Sequence, residues 1–146
     1  MSEEKLESIM REFLAALGAR DVEKALSFLA EDATWVLPEG AFKGKGEIGR
    51  YLRWMTQTTP DFAYSEAGIG IVVRGNKAAY EHVFTGTIQG AKCEWLALCA
   101  YEFTGEKIQR LQTAYDRLSM MKQAARGWFE KAIVNSLLGR AEKGLY

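Results

Sequence analysis

The sequence KAAYEHVFTGTIQ, residues 77–89, alternates two kinds of side chain with the period of two that is typical of a β-strand. One set of positions, which includes Tyr80 and His82, is mainly apolar and predicts the face that points into the protein. The other set, which includes Glu81 and Thr85, predicts the face that points towards solvent or a partner. His82 is the only histidine of the chain, and it lies on the inward face.

The segments on either side of this strand are also predicted to be β-strands. Further strands are predicted at about 62–74, 92–103 and 107–116, and each is separated from the next by a short turn. Gly75 and Asn76 form a pair that is typical of a two-residue hairpin turn. Four consecutive strands joined in this way predict an antiparallel meander.

Three helices are predicted before the meander. Apolar residues recur at every third or fourth position from Leu6 to Leu17, and Gly18 is well placed to end this helix in a left-handed conformation. Asp21 is a typical N-cap for the start of a second helix. A third helix is predicted at about 47–57.

Short strands are predicted at 33–37 and 41–43, and the chain ends in a helix predicted at about 118–139. This order predicts an α+β fold in which N-terminal helices pack on one face of a strongly curved, mostly antiparallel sheet. Trp128 and Phe129 make the last helix too apolar for a freely solvated tail. We expect it to cover a sheet edge or a pocket mouth, within the chain or in a dimer. A movable lid and a membrane-surface helix are the alternatives.

The composition is that of a globular protein of one domain, residues 1–146, with a core at about 6–119. Lys plus Arg and Asp plus Glu both count 19, so the net charge is zero and nucleic acid is not an expected partner. No apolar run approaches the ~18 residues that a membrane span needs. The N-terminal sequence lacks the pattern of a signal peptide, which predicts a cytoplasmic protein.

The cysteine and histidine content argues against a metal site. Cys93 and Cys99 lie six residues apart in one predicted strand. Their separation of roughly 20 Å is too long for a disulfide. With one histidine and two separated thiols, the usual ligands of a zinc site cannot be assembled. We therefore expect reduced thiols, no metal and no cofactor.

Several motifs resemble those of nuclear transport factor 2-like proteins. Residues 13–38, which contain AEDATW, resemble the opening of that superfamily, and 44–48 (GKGEI) and 105–108 (GEKI) match later segments. The sequence YDRL at 115–118 is most similar to the ending of SnoaL-like polyketide cyclases. The resemblance covers about 6–125. It implies a cystatin-like cone of helices and bent sheet around one deep pocket, and a homodimer formed through the sheet.

The resemblance does not extend to the active site of ketosteroid isomerases. Their general base falls on Leu37, and their oxyanion-hole tyrosine and aspartic acid fall on Phe13 and Cys99. None of these side chains can do the required chemistry. Ketosteroid isomerase activity is therefore excluded.

The active site of limonene epoxide hydrolases is absent as well. Its arginine and two aspartates fall on Tyr80, His82 and Thr113. Both alignments nevertheless place His82 at a position that lines the family's pocket. An imidazole there can take up a proton near neutral pH.

His82 and Asp116 are the candidate catalytic residues. A structural role in the core is the alternative for His82. Strict alternation from Leu111 turns the side chain of Asp116 away from the pocket, and its position before the last helix is typical of an N-cap. For Asp116 we therefore keep capping or a structural ion pair as the alternative to chemistry.

A set of aromatic residues and one thiol is predicted to line a mostly apolar pocket that suits a flat, hydrophobic small molecule. The predicted substrate-binding residues are Trp35, Tyr51, Trp54, Tyr80, Cys99, Tyr101 and Tyr115. The predicted function is acid/base proton transfer by an isomerase, cyclase or dehydratase. His82 is the expected base or acid, and Tyr80 or Tyr115 the donor to an oxyanion. A non-catalytic ligand-binding or dimerisation module is the alternative.

Overall fold

The computed structural model of the chain describes residues 1–145, and Tyr146, the last residue of the predicted domain, lies outside the described residues. Helices and strands follow one another in the order α1 (Glu3–Gly18), α2 (Val22–Ser27), β1 (Leu29–Leu37), β2 (Gly40–Lys43), α3 (Gly44–Thr58), β3 (Ala63–Arg74), β4 (Lys77–Ile88), β5 (Ala91–Thr104), β6 (Lys107–Tyr115), α4 (Arg117–Ala124) and α5 (Gly127–Ala141). The predicted α+β class is confirmed. No helix among the described residues has the length and apolar character that crossing a membrane requires.

The six strands form one sheet in the order β2-β1-β6-β5-β4-β3. Strands β3 to β6 pair antiparallel with their neighbours and are the predicted meander. Strand β1 pairs antiparallel with β2 and parallel with β6, which makes the sheet mixed. Helix α1 packs on β3 and helix α3 packs on β1, so the helices cover one face of the curved sheet.

Strand β4 has the predicted alternation of burial. Ala78, Tyr80, His82 and Phe84 are all buried on the face that points towards the helices. The intervening residues are only partly buried. The period of two therefore identified the inward face correctly.

Phe13 of α1 lies at the centre of the core and is completely buried. Its ring centroid lies 6.4 Å from that of Phe28, 6.2 Å from that of Trp35 and 6.4 Å from that of Tyr101. These contacts join the helices to strands on both halves of the sheet. Truncation of a buried phenylalanine to alanine costs about 3–5 kcal/mol, so this position carries a large share of the stability.

The end of α1 differs from the prediction. Gly18 is the last helical residue, and the left-handed conformation falls instead on Arg20, with φ of 61°. The guanidinium of Arg20 donates hydrogen bonds to the carbonyls of Pro60 and Phe62 at 2.6 and 2.8 Å. These bonds offset the cost of about 1–2 kcal/mol for a left-handed residue that is not glycine. Asp21 is confirmed as an N-cap, because its side chain accepts a backbone hydrogen bond at 3.0 Å.

Strand β1 and helix α3 both begin earlier than predicted. Strand β1 begins at Leu29 rather than at residue 33, because Leu29 already pairs with Ile108 of β6. Helix α3 begins at Gly44, three residues before the predicted start. The extension of β1 comes from pairing with a distant strand, which local patterns do not report.

The prediction of one helix at 118–139 is wrong, because the segment forms α4 and α5. Ala125 adopts an extended conformation with ψ of 130°, and Gly127 follows with φ of 67°. Trp128 and Phe129 are 82% and 62% exposed, so within the chain α5 does not bury these two residues as expected, although Val134 of the same helix is buried. Of these two helices, α4 lies against the sheet, where Gln123 exchanges two hydrogen bonds of 2.8 and 2.7 Å with the backbone of one β5 residue.

Candidate functional site

A cavity of about 320 Å³ opens between the concave face of the sheet and the helices α1, α3 and α4. Its walls are mainly aromatic and aliphatic, and Met120 of α4 contributes to its rim. The volume lies at the lower end of the range of about 300–1,000 Å³ that is usual for small-molecule sites. The cavity can therefore hold a compact hydrophobic molecule.

Seven of the nine predicted site residues line this cavity, and they are Trp35, Tyr51, Trp54, His82, Cys99, Tyr101 and Tyr115. They come from β1, α3 and three strands of the meander. The inward face of each strand carries one or two of them, because alternation turns every second side chain to the concave side. The structure thus brings together residues that lie up to 80 positions apart in the chain.

Tyr80 does not line the cavity, in contrast to the prediction. Its buried ring stacks on the ring of His82, with centroids 4.6 Å apart and an angle of 14° between the planes. Tyr80 and His82 share the inward face of β4, but Tyr80 lies behind His82 in the core. The structure therefore gives Tyr80 a packing role against the imidazole and no contact with the cavity.

Asp116 also lies outside the cavity lining. Its carboxylate accepts a hydrogen bond of 2.9 Å from the backbone N–H of Ser119 and caps α4. This geometry matches the capping alternative, and the reason is the strand alternation that turns Asp116 away from the pocket. Asp116 does not enter the chemistry that we propose below.

His82 is buried in the wall of the cavity with only 4% of its surface exposed. Its ring lies against Tyr80 on one side and packs edge-on against Tyr64, at a centroid distance of 5.3 Å. Among the described residues, Nδ1 of His82 is the only buried side-chain nitrogen or oxygen atom without a hydrogen-bond partner. Burial lowers the pKa of His82 to about 4 and outweighs an opposing contribution from the Tyr80 backbone, so the imidazole is neutral at pH 7.

A second polar group in the cavity wall is fully hydrogen-bonded. The indole Nε1 of Trp35 donates to Oγ1 of Thr113 at 3.0 Å, and that oxygen lies 3.3 Å from Sγ of Cys99. Burial raises the pKa of Cys99 to about 11, which keeps the thiol protonated at neutral pH. A thiol in this state is a poor nucleophile, so Cys99 is an uncharged, weakly polar part of the cavity wall.

The mouth of the cavity carries a carboxylate that the sequence analysis missed. Glu39 lies in the turn between β1 and β2, and its side chain accepts a hydrogen bond from the hydroxyl of Tyr115. Burial, and secondly the charge of Glu39, raise the pKa of the Tyr51 hydroxyl. Glu39 therefore lies close to aromatic residues on two sides of the mouth.

Three aromatic residues of the lining, Tyr64, Phe84 and Trp95, were also not among the predicted site residues. Trp95 has a clear signal, because it shares the inward face of β5 with Ala97, Cys99 and Tyr101. Glu39 has no such signal, since it lies in a turn and its partner follows 76 residues later. Among the described residues, no cluster of three or more potential ligand side chains has the arrangement that a metal ion needs.

Known structures with a similar fold include three bacterial proteins. A protein from Catenulispora acidiphila with a ketosteroid isomerase-like fold, solved in complex with trimethylamine, is 20% identical, with a TM-score of 0.74 over 82% of this chain and 93% of that chain. An NTF2-like protein of unknown function from Burkholderia pseudomallei is 17% identical, with a TM-score of 0.77 over 86% and 100% of the two chains. A putative polyketide cyclase from Xanthomonas campestris is 17% identical, with a TM-score of 0.75 over 84% and 98%. At these identities the similarity shows the fold alone.

The comparison with curated proteins produced no match. The model of the SnoaL-like domain family, in contrast, matches residues 10–111, which is more than two thirds of the chain. The matched segment includes most of α1, the first five strands and the start of β6. The chain therefore belongs to the SnoaL-like domain family.

Proposed function

We propose that this protein is an enzyme that moves a proton within a hydrophobic small molecule, as an isomerase, cyclase or dehydratase does, and that His82 is the proton acceptor. The family and the fold shared with a putative polyketide cyclase support a function of this class. One observation carries the proposal: the buried Nδ1 of His82 has no partner within the protein.

An unpartnered nitrogen in the wall of an apolar cavity is costly for the empty protein. A buried polar atom that loses its hydrogen bond costs about 1–3 kcal/mol. A polar group of a bound molecule can remove this cost by bonding to the imidazole. The arrangement therefore favours a role in ligand recognition over a role in holding the core together.

The lowered pKa of His82 determines how it can act. With a pKa of about 4, the ring is neutral at pH 7 and its lone pair is free to accept a proton. An isolated imidazolium is unfavourable at this buried position. It becomes more favourable when an oxyanion forms on the substrate next to it, because the two opposite charges attract strongly where water is excluded. Proton uptake by His82 is thus coupled to charge development on the substrate.

The same cavity supplies donors for such an oxyanion. Burial raises the pKa of Tyr101 well above its ordinary value, so its hydroxyl stays protonated and can donate a hydrogen bond. Tyr64 lines the cavity beside His82, and burial raises the pKa of its hydroxyl as well. These two residues take the place that the sequence analysis gave to Tyr80 and Tyr115.

Deuterium exchange tests the proposal without knowledge of the final product. Polycyclic and terpenoid ketones that stabilise the protein in a thermal-shift screen are incubated with it in D2O, and their masses are measured. We expect the wild type to incorporate deuterium at a carbon next to the carbonyl, and His82→Gln to lose this activity while remaining folded. Equal exchange by both proteins would remove His82 from the mechanism.

A non-catalytic ligand-binding or dimerisation module is the second candidate. The observation that favours it is the absence of the family's usual acids, whose positions are occupied by Leu37, Cys99 and Thr113. In that case bound ketones would stabilise the protein and show no exchange in either variant. The same screen therefore separates the two candidates.

We further propose a homodimer formed through the outer face of the sheet. Val72, Leu96 and Leu98 project from this face and are about half exposed, at 50%, 52% and 49%. A contiguous exposed apolar surface is typical of an interface between proteins. Analytical ultracentrifugation should show a dimer for the wild type and a monomer for Leu98→Glu. A monomeric wild type would contradict this interface.

A further inference from the structure

We infer that the mouth of the cavity binds a cationic amine, a substituted ammonium group attached to an apolar body. The inference rests on the proposed function in one respect, since it takes the cavity as the ligand site. It adds the charge of the ligand, which neither the family nor the fold determines.

The charge of the cavity lining points to a cation. Among the described lining residues, Glu39 is the only one that carries a formal charge at neutral pH, because His82 and Cys99 are neutral there. No described lysine or arginine contributes to the lining. A cavity with one carboxylate and largely apolar walls attracts a cation and repels carboxylates and phosphates.

The aromatic residues of the lining, which include the two tyrosines beside Glu39, suit an ammonium group. On one side the ring centroids of Trp35 and Tyr51 are 5.6 Å apart, and those of Tyr51 and Trp54 are 6.0 Å apart. On the other side the rings of Trp95 and Tyr115 are 5.5 Å apart. The faces of such rings attract a cation, tryptophan most strongly, and groups of them are known for binding quaternary ammonium ions.

Glu39 connects these two aromatic groups. Its carboxylate accepts a hydrogen bond from the hydroxyl of Tyr115 on one side. On the other side its negative charge contributes to the raised pKa of Tyr51. A methylated ammonium group placed between the rings thus also lies near a carboxylate. Because a methylated ammonium group is weakly hydrated, its transfer from water into the cavity costs less free energy than the transfer of a primary ammonium group.

Glu39 forms no salt bridge with a lysine or arginine among the described residues. The five salt bridges that the described residues form do not involve it. Arg117 lies nearby in the structure, but its guanidinium donates to the carbonyl of Pro38 at 3.4 Å and does not line the cavity. The negative charge at the mouth is therefore available to a ligand.

Two probes of the same shape test the inference. Benzyltrimethylammonium is titrated into the full-length protein, and so is neopentylbenzene, its uncharged isostere with carbon in place of nitrogen. Binding is followed by NMR through the indole N–H signals of the four tryptophans. Trp35, Trp54 and Trp95 line the cavity and should shift, whereas the exposed Trp128 serves as an internal reference.

The expected result is a preference for the cation that depends on Glu39. Benzyltrimethylammonium should bind about tenfold more tightly than the isostere, as cation–π and carboxylate attraction together imply. Glu39→Gln should weaken the cation about fivefold and leave the isostere unchanged. Glu106→Gln, which removes an exposed carboxylate from the turn between β5 and β6, is the matched control and should change neither affinity.

Three results would overturn the inference: equal affinity for the two probes, equal weakening of both by Glu39→Gln, or no shift of the cavity tryptophans with the cation. Its failure is distinct from that of the proposed function. If ketones still exchange deuterium in a His82-dependent way, the proposed function stands and only the preference for a cation is lost. If the cation is preferred but no ketone exchanges deuterium, the preference for a cation stands and the proposed proton transfer is lost.

Discussion

One largely apolar cavity has a polar group in its wall, His82, and another at its mouth, Glu39. The two groups differ in burial, in charge and in hydrogen bonding. His82 is buried and neutral and its Nδ1 has no hydrogen-bond partner, whereas Glu39 is exposed, charged and hydrogen-bonded to Tyr115. Burial makes polar interactions strong and their loss expensive, whereas exposure to water weakens them. We therefore expect substitutions in the buried wall to affect chemistry and stability most, and substitutions at the mouth to affect mainly which ligand binds.

The largest expected effect is on the chemical step. His82→Gln should lower the rate of deuterium exchange by at least about a hundredfold, as is usual for the loss of a general base. Glu39→Gln should leave the rate with a bound neutral ketone within about twofold, because Glu39 is exposed to water at the mouth, where its charge is screened, whereas His82 is buried in the wall. Exchange rates at saturating ketone measure both. A hundredfold loss for Glu39→Gln as well would break the distinction between wall and mouth.

The second effect is on the pH dependence of stability. The pKa of His82 is about 4 in the folded protein, whereas in the unfolded chain it has its ordinary value of 6.5. Between pH 4 and pH 6.5 the unfolded chain therefore binds a proton that the folded protein does not. Stability is therefore complete above pH 6.5 and falls as the pH decreases towards 4, by about 2 kcal/mol at pH 5. Urea unfolding at pH 7 and pH 5 measures this loss.

His82→Gln is the control for this effect. It should abolish most of the difference in unfolding free energy between pH 7 and pH 5, because glutamine does not titrate. An equal pH dependence in both proteins would show that other groups are responsible and that His82 is not held neutral by burial.

The third effect concerns the hydrogen-bonded group in the wall. Thr113→Val removes the oxygen that accepts the indole hydrogen bond of Trp35 and leaves this donor without its partner. Unfolding free energy should fall by about 1–2 kcal/mol. Thr104→Val, at the exposed end of β5, is the matched control and should stay within about 0.5 kcal/mol. Equal effects of the two substitutions would show that the bond to Trp35 contributes nothing.

The smallest effect is expected at the mouth. Tyr115→Phe removes the hydroxyl that donates to Glu39 but keeps the ring beside Trp95. Because Glu39 is exposed and can bond to water instead, stability should change by less than about 0.5 kcal/mol in thermal or urea unfolding. A loss comparable to that of Thr113→Val would contradict the contrast between the two regions.

Periodic patterns predicted the parts of the molecule that are governed by local rules. The alternation in residues 77–89 placed His82 on the inward face, and that face is indeed buried. The typical capping position of Asp116 was also recognisable, and the structure gives it this role. These features depend on the backbone geometry of a few neighbouring residues, so a short stretch of sequence contains the information.

Features that depend on distant contacts or on one dihedral angle could not be predicted in this way. Glu39 meets Tyr115 only because the turn after β1 lies beside the end of β6. The break between α4 and α5 occurs without proline, at an extended Ala125 and a left-handed Gly127, where helical periodicity continues unchanged. The place of Tyr80 behind His82 follows from the stacking of their rings, which the period of two does not specify.

The central claim is that His82 is a neutral, buried imidazole whose Nδ1 has no hydrogen-bond partner until a ligand binds. Because it is the only histidine, a protein labelled with nitrogen-15 at histidine shows a single imidazole in the NMR spectrum. We predict that this imidazole titrates with a pKa of about 4, and that a bound ketone shifts its Nδ1 signal at pH 7. Titration at the ordinary value of 6.5, with no response to a ketone that stabilises the protein, would contradict the account.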